Sequence, residues 1–399
     1  MKPFSFVHAA DLHLGYAQYN LDVRRSDFNN AFQELVDKTI ELKPEFMILA
    51  GDIFAHARPS NFTLEAAITN FRRLKDAGIP VLAVDGSHDS APNVITSTIL
   101  NPLDSAGLIY YLPRHEGASW KNENCYVYGI PNFRTARKTQ EELPIFLERN
   151  KPAPDPILFN ILVFHMALDI PALKPLQMEA EAQPEFLPEG FNYYAGGHIH
   201  TPYKSRFKNG LLVYSGCTET VSYEDAEIEK GFYLIQVNRK GVPKLQRIKL
   251  ETSRSFIILE QNFTGLTPSK ITDAVVKLVQ EREKPEAIVV PVIRGVLPAE
   301  ARRGEIDLAK IRNAGAKALL VHPVLRLRET EISEEIIRSI FGGEMKDLKT
   351  KAFEYFFEIF SESYSREESE KIARLSVDLI SPLVEKQETK VKEKLEELL

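Results

Sequence analysis

The chain is poor in cysteine, with only Cys125 and Cys217 among its 399 residues. Two cysteines are too few for a disulfide framework, so we expect a protein of a reducing compartment, most simply the cytoplasm. No apolar run approaches the ~18 residues that a membrane-spanning helix requires, and no signal-peptide pattern precedes the strand that we predict at residues 4–10. We therefore expect no membrane association.

An excess of positive charge, which proteins that bind nucleic acids often display, is also absent, because the formal net charge is −6. The acidity is confined to residues 331–399, which hold 17 acidic and 11 basic residues, whereas the remainder holds 39 of each. A neutral body can still carry a local basic face, and bound metal ions add positive charge that a formal count omits. The composition therefore does not exclude DNA as a ligand.

Residues 1–250 alternate short apolar strands with amphipathic helices. Phe46–Ala50 and Val81–Val84 are wholly apolar, which is typical of strands that are covered on both faces. A first helix is predicted after Ser26, which we interpret as its N-cap. Residues 63–77 follow a helical period and predict a second helix. The pattern predicts an α/β fold in which a layered sheet core is flanked by helices.

Two further regions follow this core. Residues 255–328 are predicted as strand, helix, strand, helix and strand, a small α+β module that we interpret as a cap domain because it contains no catalytic constellation. Residues 331–399 are predicted as a helical tail with apolar stripes. The stripes comprise Ile336, Ile337, Ile340 and Phe341; Phe353, Phe356, Phe357 and Phe360; Ile372, Leu375, Leu379 and Leu383; and Val391, Leu395 and Leu398. Bundle packing and docking on a partner protein both explain such stripes.

Polar residues of the kind that bind metals follow five of the predicted strands. They are Asp11, His13, Asp52, His88, Asp89, His165, His198 and His200. Ligands of layered α/β sheets bind beyond the carboxyl ends of the strands, so we expect these side chains to meet at one edge. Each motif alone is explained by a hydrogen-bonded core histidine or an exposed turn. Their joint occurrence, with five of the nine histidines, favours a metal centre.

The donor set indicates which metals and which chemistry to expect. Imidazole combined with carboxylate suits Mn, Fe or Zn, whereas sets of oxygen ligands alone suit Mg or Ca better. There are enough ligands for two ions that share one carboxylate. Two ions about 3.5–4 Å apart clamp a phosphodiester and convert a bound water into hydroxide at neutral pH. A histidine is the natural proton donor for the leaving alkoxide.

The motifs resemble those of a known superfamily. Asp11-x-His13, Gly51-Asp52, Gly86-x-His88-Asp89, His165 and Gly197-His198-x-His200 are similar to the five motifs of calcineurin-like metallophosphoesterases. The stretches ADLHLG (10–15), GDIF (51–54) with RPS (58–60), and YSGCTE (214–219) more specifically resemble the SbcD / meiotic-recombination-eleven repair nucleases. The resemblance implies a metallophosphoesterase sandwich with a cap and a helical tail. It also implies a manganese-dependent exonuclease or endonuclease in double-strand-break repair.

The resemblance further implies a role for each residue of the site. One metal would be held by Asp11, His13 and His200, the other by His165 and His198, with Asp52 bridging them. His88, oriented by Asp89, would stabilise the transition state or protonate the leaving group. The implied cofactor is two Mn²⁺ per subunit, with Fe or Zn as alternatives. Ser87 stands where the family usually has an asparagine ligand, and Ala55 where it often has histidine, so weaker binding of the second metal is expected.

The partners that the resemblance implies are DNA, a second copy of the chain in a homodimer, and a coiled-coil ATPase of the SMC/ABC type held by the carboxyl-terminal helices. The chain lacks the G-x-x-x-x-G-K-[ST] phosphate loop, so ATP use would come from that ATPase. We also predict that Arg24, Arg25 and Arg58, in loops near the strand ends, touch DNA phosphates. An equally good interpretation is that they are solvated surface arginines.

Two alternatives to a repair nuclease stay open. The first is a metallophosphoesterase for another substrate, although protein phosphatases carry Asp-Arg-Gly shortly after Gly-Asp, where this chain has residues FAHAR (54–58). A small cyclic-nucleotide diesterase would need neither the cap nor the tail. The second is a repair scaffold with weakened catalysis, which the departures at Ser87 and Ala55 favour. Weak or single-metal occupancy would indicate such a scaffold.

Overall fold

The structure is a computed structural model that describes residues 1–90, 97–176, 180–298, 301–329, 345–361 and 365–384. The chain divides into two compact units. The first comprises Met1–Leu259, Val279–Pro291 and Asn313–His322, and the second comprises Glu260–Leu278, Val292–Arg312 and Pro323–Leu399. The expected division into 1–250, 255–328 and 331–399 stays a prediction. Within the described ranges, no helix is long and apolar enough to cross a membrane.

Two six-stranded sheets form the centre of the first unit. Their strands are β1 (Phe4–Ala9), β2 (Phe46–Ala50), β3 (Val81–Val84), β4 (Tyr110–Tyr111), β5 (Ser119–Lys121), β6 (Cys125–Gly129), β7 (Phe159–His165), β8 (Tyr193–Gly197), β9 (Tyr203–Phe207), β10 (Gly210–Tyr214), β11 (Gly231–Val237) and β12 (Pro243–Lys249). The strand orders are β12-β11-β1-β2-β3-β4 and β5-β6-β7-β8-β10-β9. The segment β1-β2-β3-β4 is parallel, and so is β6-β7-β8.

Helices cover the outer faces of both sheets, so the predicted α/β fold is confirmed. The helices are α1 (Asp22–Leu42), α2 (Asn61–Asp76), α3 (Leu100–Ser105) and α4 (Ala136–Arg149). Apolar side chains of α1, α2 and α3 pack on the outer face of the first sheet, where Val7 and Met47 belong to the same buried cluster. Leu143 of α4 packs on the outer face of the second sheet with Leu162.

The inner faces of the two sheets pack on each other through an aromatic cluster. The ring of Phe6 stacks on Phe46 with centroids 5.2 Å apart, and it meets the edge of Tyr193 at 5.3 Å. All three side chains are fully buried. Successive residues of a strand point to opposite faces, so Phe6 faces the partner sheet while Val7 faces the helices. This packing holds the ends of the two sets of parallel strands in fixed relation.

The first helix begins five residues before the position that an N-cap at Ser26 predicts. α1 starts at Asp22, and Leu21 occupies the N-cap position without a side-chain hydrogen bond. The Ser26 N-cap prediction is therefore wrong. The local signal is overridden by a tertiary contact, because the Arg24 guanidinium lies in the first helical turns and binds the distant Glu219 carboxylate at 3.0 Å. By contrast, the α2 cap is local: the hydroxyl of Ser60 accepts a hydrogen bond from the backbone N–H of Thr63.

The later part of the chain contains a third sheet. Its elements are β13 (Phe256–Asn262), α5 (Pro268–Arg282), β14 (Ile288–Val296), α6 (Leu308–Arg312), β15 (Leu320–Val321) and β16 (Val324–Arg328). The strand order is β13-β14-β15, and β16 also pairs with β14. The predicted succession of strand, helix, strand, helix and strand agrees with this, and β16 was not predicted.

Two helices follow, α7 (Met345–Ser361) and α8 (Arg366–Val384). In α7 the ring pairs Phe353–Phe357 and Phe356–Phe360 stack with centroids 5.9 and 6.3 Å apart, and Tyr355 is exposed. The side chain of Leu383 lies outside the described part of the chain. So do seven whole residues of the predicted stripes, which are Ile336, Ile337, Ile340, Phe341, Val391, Leu395 and Leu398.

Candidate metal centre

The strand ends of both sheets deliver the predicted site residues to one place. Asp11 and His13 follow β1, Asp52 follows β2, the segment 87–89 follows β3, His165 ends β7, and His198 and His200 follow β8. A cavity of about 770 Å³ is lined by His13, Asp52, Ser87, His88, His198 and His200, among others. Asp11 and His165 are completely buried next to these residues. The two parallel strand sets end on the same side, which is why the motifs meet.

Strained backbone turns aim these side chains. Asp11, His13, Asp52 and His198 all have positive φ, at 55°, 45°, 48° and 90°. For residues with a side chain, this conformation costs about 1–3 kcal/mol each and persists only where the surroundings impose it. Here the neighbouring turn imposes it, because the N–H groups of Asp11 and His13 donate to the carbonyls of Gly51 and Asp52 at 3.1 and 3.0 Å. Such strain at several candidate ligands is typical of a functional site.

The turns also approach one another so closely that two positions require glycine. A Cβ atom added at Gly86 would lie 2.1 Å from Oδ1 of Asp52, and one added at Gly197 would lie 1.9 Å from the carbonyl oxygen of Ala50. Neither neighbour can yield, because one is a buried candidate ligand and the other is backbone of β2. Glycine in both motifs therefore serves the close packing of the strand ends.

The first candidate ion position lies among Asp11, His13 and His200. One donor atom from each lies within 4.8 Å of the other two. The Nε2 atoms of His13 and His200 are 3.4 Å apart, and Nε2 of His200 is 4.0 Å from Oδ1 of Asp11. Two nitrogens bound to one ion at ~2.1 Å with a tetrahedral angle lie about 3.4 Å apart. The three side chains therefore fit a single ion.

A second candidate position lies among Asp11, Asp52 and His165, whose donor atoms also lie within 4.8 Å of one another. Oδ2 of Asp52 is 3.3 Å from Nε2 of His165 and 3.9 Å from Nε2 of His13. This carboxylate thus lies between the two candidate positions. His198 belongs to none of the three-residue groups within the described chain, although its ring centroid lies 5.3 Å from that of His165.

The second ring nitrogens of two histidines are already engaged, which directs Nε2 toward an ion. Nδ1 of His165 lies 2.8 Å from the carbonyl oxygen of Ala50, and Nδ1 of His200 lies 2.9 Å from Oδ2 of Asp225. Partners of this kind set the tautomer and orientation of metal-binding histidines. Nε2 of His165 is buried and faces Oδ2 of Asp52 at 3.3 Å. A metal ion bound by both groups would take the place of the proton on this imidazole.

The buried groups of the site strongly perturb one another's pKa values. Burial raises the pKa of Asp11 and lowers the pKa values of His13 and His198 to about 3. Asp52 and His165 form a second buried pair. Burial alone would raise the pKa of Asp52 and lower that of His165, but the attraction between the two groups outweighs it. The pKa of Asp52 is therefore lowered, and that of His165 is raised to about 10. Buried groups of this kind interact strongly and mark functional sites. Because ligands must be deprotonated, metal binding would release the proton of His165.

His88 and Asp89 lie beside these groups with a different division of roles from the one expected. The His88 side chain is half exposed, and its Nδ1 lies 3.1 Å from the carbonyl oxygen of Ala55. The carboxylate of Asp89 instead accepts hydrogen bonds from the backbone N–H groups of Ile53, Phe54 and Gly86. The expectation that Asp89 orients His88 is therefore wrong, because both carboxylate oxygens hold the backbone of two loops. Burial, reinforced by Asp52, raises the pKa of Asp89 to about 8.

The three arginines predicted to contact DNA are placed differently. Arg24 is completely buried, and its guanidinium donates to Gln18, Asp27 and Glu219. Its predicted phosphate contact is wrong, because two carboxylates already neutralise its charge. The Arg25 side chain is 42% exposed and lies 3.6 Å from Asp22, and Arg58 is exposed. DNA contacts by Arg25 and Arg58 stay predictions.

Two acidic residues near the candidate ligands were not predicted. Asp225 contacts His200 and also accepts a hydrogen bond from the backbone N–H of Ser222 at 3.0 Å. The pattern Ser-x-x-Asp at 222–225 signals such a capping turn, although it does not reveal the histidine contact. Oε2 of Glu181 lies 3.9 Å from Nε2 of His198. Glu181 belongs to no strand-end motif, and we find no signal for it.

Comparisons with known proteins agree with this geometry. The calcineurin-like phosphoesterase family matches residues 4–202. Three curated relatives are each named DNA double-strand break repair protein Mre11. The protein of Methanocaldococcus jannaschii is 32% identical over 63% of this chain and 68% of its own length. That of Methanococcus maripaludis is 31% identical over 70% and 76%, and that of Methanopyrus kandleri is 29% identical over 64% and 58%.

A solved dimetal phosphatase from Danio rerio aligns with 62% of this chain and 99% of its own length at 12% identity. Its TM-score of 0.37 is too low to carry any argument about this protein.

Fold and site together define a calcineurin-like phosphoesterase that uses divalent metal. Within that class, the chain belongs to the Mre11 family of DNA double-strand break repair proteins. The predicted family is thereby confirmed, and so is the predicted class of enzyme, a metal-dependent DNA nuclease. The chain spans 58% of the Methanopyrus kandleri relative, which is therefore the longer protein.

Proposed function

We propose that this protein hydrolyses phosphodiester bonds of DNA with two Mn²⁺ ions, as an exonuclease or an endonuclease. One observation carries the proposal. Five strand ends converge on a single cavity, and beside it the donor atoms of Asp11, Asp52 and His165 lie within 4.8 Å of one another. An imidazole and carboxylate donor set favours Mn, Fe or Zn over Mg or Ca. Among these, we propose manganese.

We further propose a division of the ligands between the two ions. Asp11, His13 and His200 hold one ion, His165 and His198 hold the other, and Asp52 is shared. The 3.4 Å separation of the His13 and His200 nitrogens supports the first set, and the position of the Asp52 carboxylate supports its bridging role. When bound, the ions supply Lewis acidity toward the phosphoryl oxygens and an activated water at neutral pH.

Ser87 and His88 complete the proposed site on the side of β3. Ser87 is half buried and lines the cavity, where its hydroxyl or an intervening water would be a weak ligand of the second ion. His88 is proposed to donate a proton to the leaving oxygen. Its half-exposed ring lines the cavity, and the Ala55 carbonyl holds Nδ1, so Nε2 is directed inward and lies 3.9 Å from Asp52. Such proton transfer is worth about 10²–10⁴ in rate.

Partners are proposed from the later part of the chain and from the family. We propose that α7 and α8 bind the coiled coil of an SMC/ABC-type ATPase, since α7 carries phenylalanine pairs and an exposed Tyr355. ATP would be used by that ATPase. We also propose a homodimer acting in the cytoplasm, a reducing compartment that agrees with the two free, buried cysteines.

The test begins with protein stripped by a chelator and then reloaded with a single metal. We would measure bound metal by elemental analysis and cleavage of labelled single- and double-stranded DNA. Wild type should bind two Mn²⁺ and cut. His88→Ala should keep both ions and lose roughly 10²–10⁴ in rate. His115→Ala, which removes a histidine outside the cavity, serves as the matched control and should retain activity.

Ser87→Asn supplies a longer amide ligand and should raise the affinity for the second ion. If wild type binds two ions yet cuts no DNA, even with its ATPase partner, then the substrate is a different phosphoester. If it binds only one ion and cuts poorly, the weakened scaffold is the better interpretation. Cleavage that survives His88→Ala would remove His88 from the proposed role.

A further inference from the structure

The cavity contains one permanently cationic side chain that the proposed mechanism leaves unused. Among the described residues that line it, Arg134 is the only lysine or arginine. It directly precedes the N-cap residue of α4, and its backbone adopts φ of 74°. A side chain in this conformation is strained, and an observed strain of this kind points to a functional constraint.

Among the described residues, the Arg134 guanidinium has no carboxylate within ion-pair distance. Its Nη1 atom is enclosed by protein and makes no hydrogen bond within the described chain. A partly desolvated cation without a counter-charge is unfavourable, and an anion placed beside it removes that cost. A phosphate is the anion that a planar guanidinium binds best, through two parallel hydrogen bonds.

The segment that carries Arg134 is tied to the candidate metal centre by one side chain. Oδ1 of Asn132 accepts a hydrogen bond from the backbone N–H of Arg134 at 2.7 Å. Nδ2 of Asn132 donates to the carbonyl oxygen of His165 at 2.8 Å. The position of Arg134 is therefore set relative to the end of β7, where the candidate ligand lies.

We propose that Arg134 binds a phosphate of the substrate strand that neighbours the phosphate being cut. This inference rests on the proposed nuclease function, in which the ions take the phosphate that reacts. The cavity, at about 770 Å³, lies in the upper part of the range of ~300–1,000 Å³ for sites that enclose whole ligands, so it accommodates more than one phosphate. Acidic side chains such as Glu181 and Asp225 repel phosphate elsewhere in the lining, which leaves the guanidinium as its place.

The test compares Arg134→Gln and Arg134→Lys with wild type, all loaded with Mn²⁺, on two substrates. One is a DNA oligonucleotide, and the other is bis(p-nitrophenyl) phosphate, a diester that has no neighbouring phosphate. Arg134→Gln should lose roughly 10- to 100-fold in kcat/KM on the oligonucleotide, mainly through KM. Its activity on the small diester should stay within about twofold. On the oligonucleotide, the kcat/KM of Arg134→Lys should lie between those of wild type and Arg134→Gln. Lysine keeps the positive charge but cannot form the two parallel hydrogen bonds of a guanidinium.

Equilibrium binding of the oligonucleotide gives a readout that needs no cleavage. The slope of log affinity against log salt should fall by roughly 0.7–0.9 in Arg134→Gln, as expected for one phosphate contact. The matched control is Arg137→Gln, which removes an exposed arginine near the start of α4 that pairs with Glu141. That variant should keep the wild-type slope. Thermal melting of each variant shows that the chain is folded.

Each outcome decides the proposal. An unchanged salt slope and unchanged KM in a folded Arg134→Gln protein would overturn it. An equal loss on both substrates would also overturn it, because Arg134 would then serve the reacting phosphate or the fold of the site. A wild type that cuts neither substrate would refute the proposed function alone, and the salt slope would still decide whether Arg134 binds a phosphate. If Arg134→Gln does not fold, the same comparisons are made with Arg134→Lys, which should show the smaller loss.

Discussion

Replacement of Asp225 by alanine is the perturbation that best tests how the centre is built. The Asp225 carboxylate is 13% exposed and lies 2.9 Å from Nδ1 of His200, so it holds the ring with Nε2 toward the ion. Loss of such an outer partner typically reduces metal affinity or activity by 10–100-fold. At 1.4 kcal/mol for each factor of ten, this corresponds to about 1.4–2.8 kcal/mol.

The assay is a titration of metal-free protein with Mn²⁺, followed by electron paramagnetic resonance of the free ion. In Asp225→Ala the affinity of one ion should fall by roughly 10–100-fold while the other changes less. Of the two proposed ligand sets, only the one with Asp11 and His13 contains His200, which is the reason for the asymmetry. Asp225→Asn should show a smaller loss, because its amide oxygen still accepts a hydrogen bond but carries no charge.

Glu227→Ala is the matched control, because it removes an exposed acid two residues away and should leave both affinities unchanged. Thermal melting separates a metal effect from loosening of the turn in which Asp225 also accepts the N–H of Ser222. The reasoning would be refuted if a folded Asp225→Ala protein bound both ions as tightly as wild type. Equal weakening of both ions would show that Asp225 acts through net charge rather than through the His200 ring.

Three further predictions concern the fold and its strand ends. Gly86→Ala should abolish tight binding of at least one ion, since the new Cβ would lie 2.1 Å from Oδ1 of Asp52; metal analysis of the purified variant checks this. Phe6→Ala should destabilise the fold by about 3–5 kcal/mol, because the ring is fully buried and stacked on Phe46; urea unfolding measures the loss. Glu34→Gln should reduce stability at neutral pH, and this loss should diminish as the pH falls below the ordinary pKa of a glutamate. Burial raises the pKa of Glu34, yet hydrogen bonds from two backbone N–H groups after β12 lower it more.

The sign of the last prediction follows from linkage. A carboxyl group whose pKa is lowered by folding stabilises the protein above its unfolded pKa, and that contribution is lost as the pH falls through the folded pKa. The difference between wild type and Glu34→Gln should therefore shrink with acidification. A stability difference between the two proteins that stays constant as the pH falls would contradict this prediction. Two results would contradict the other predictions of this group. Normal metal content in Gly86→Ala, or a decrease below about 1 kcal/mol in the unfolding free energy of Phe6→Ala, would show that the local structure relaxes around the substitution.

Short-range patterns were sufficient for the layered core. Phe46–Ala50 and Val81–Val84 form strands with the predicted bounds, because wholly apolar runs of this length are stable only between two covering layers. The meeting of the strand-end motifs could also be predicted, since parallel strands bring their carboxyl ends to one edge of a sheet. The start of α1 could not be predicted from local sequence, because the buried Arg24 is held by the carboxylate of Glu219, 195 residues away.

The sequence by itself determined which residues lie at the strand ends and which family the chain belongs to, because both depend on local order along the chain. The tertiary structure decided which partner each side chain has. Asp89 holds the backbone of two loops, the Ala55 carbonyl holds His88, and Asp225 holds His200. These contacts join elements that are distant or non-periodic in sequence, and hydrogen bonds between such groups leave no repeat for a pattern to reveal.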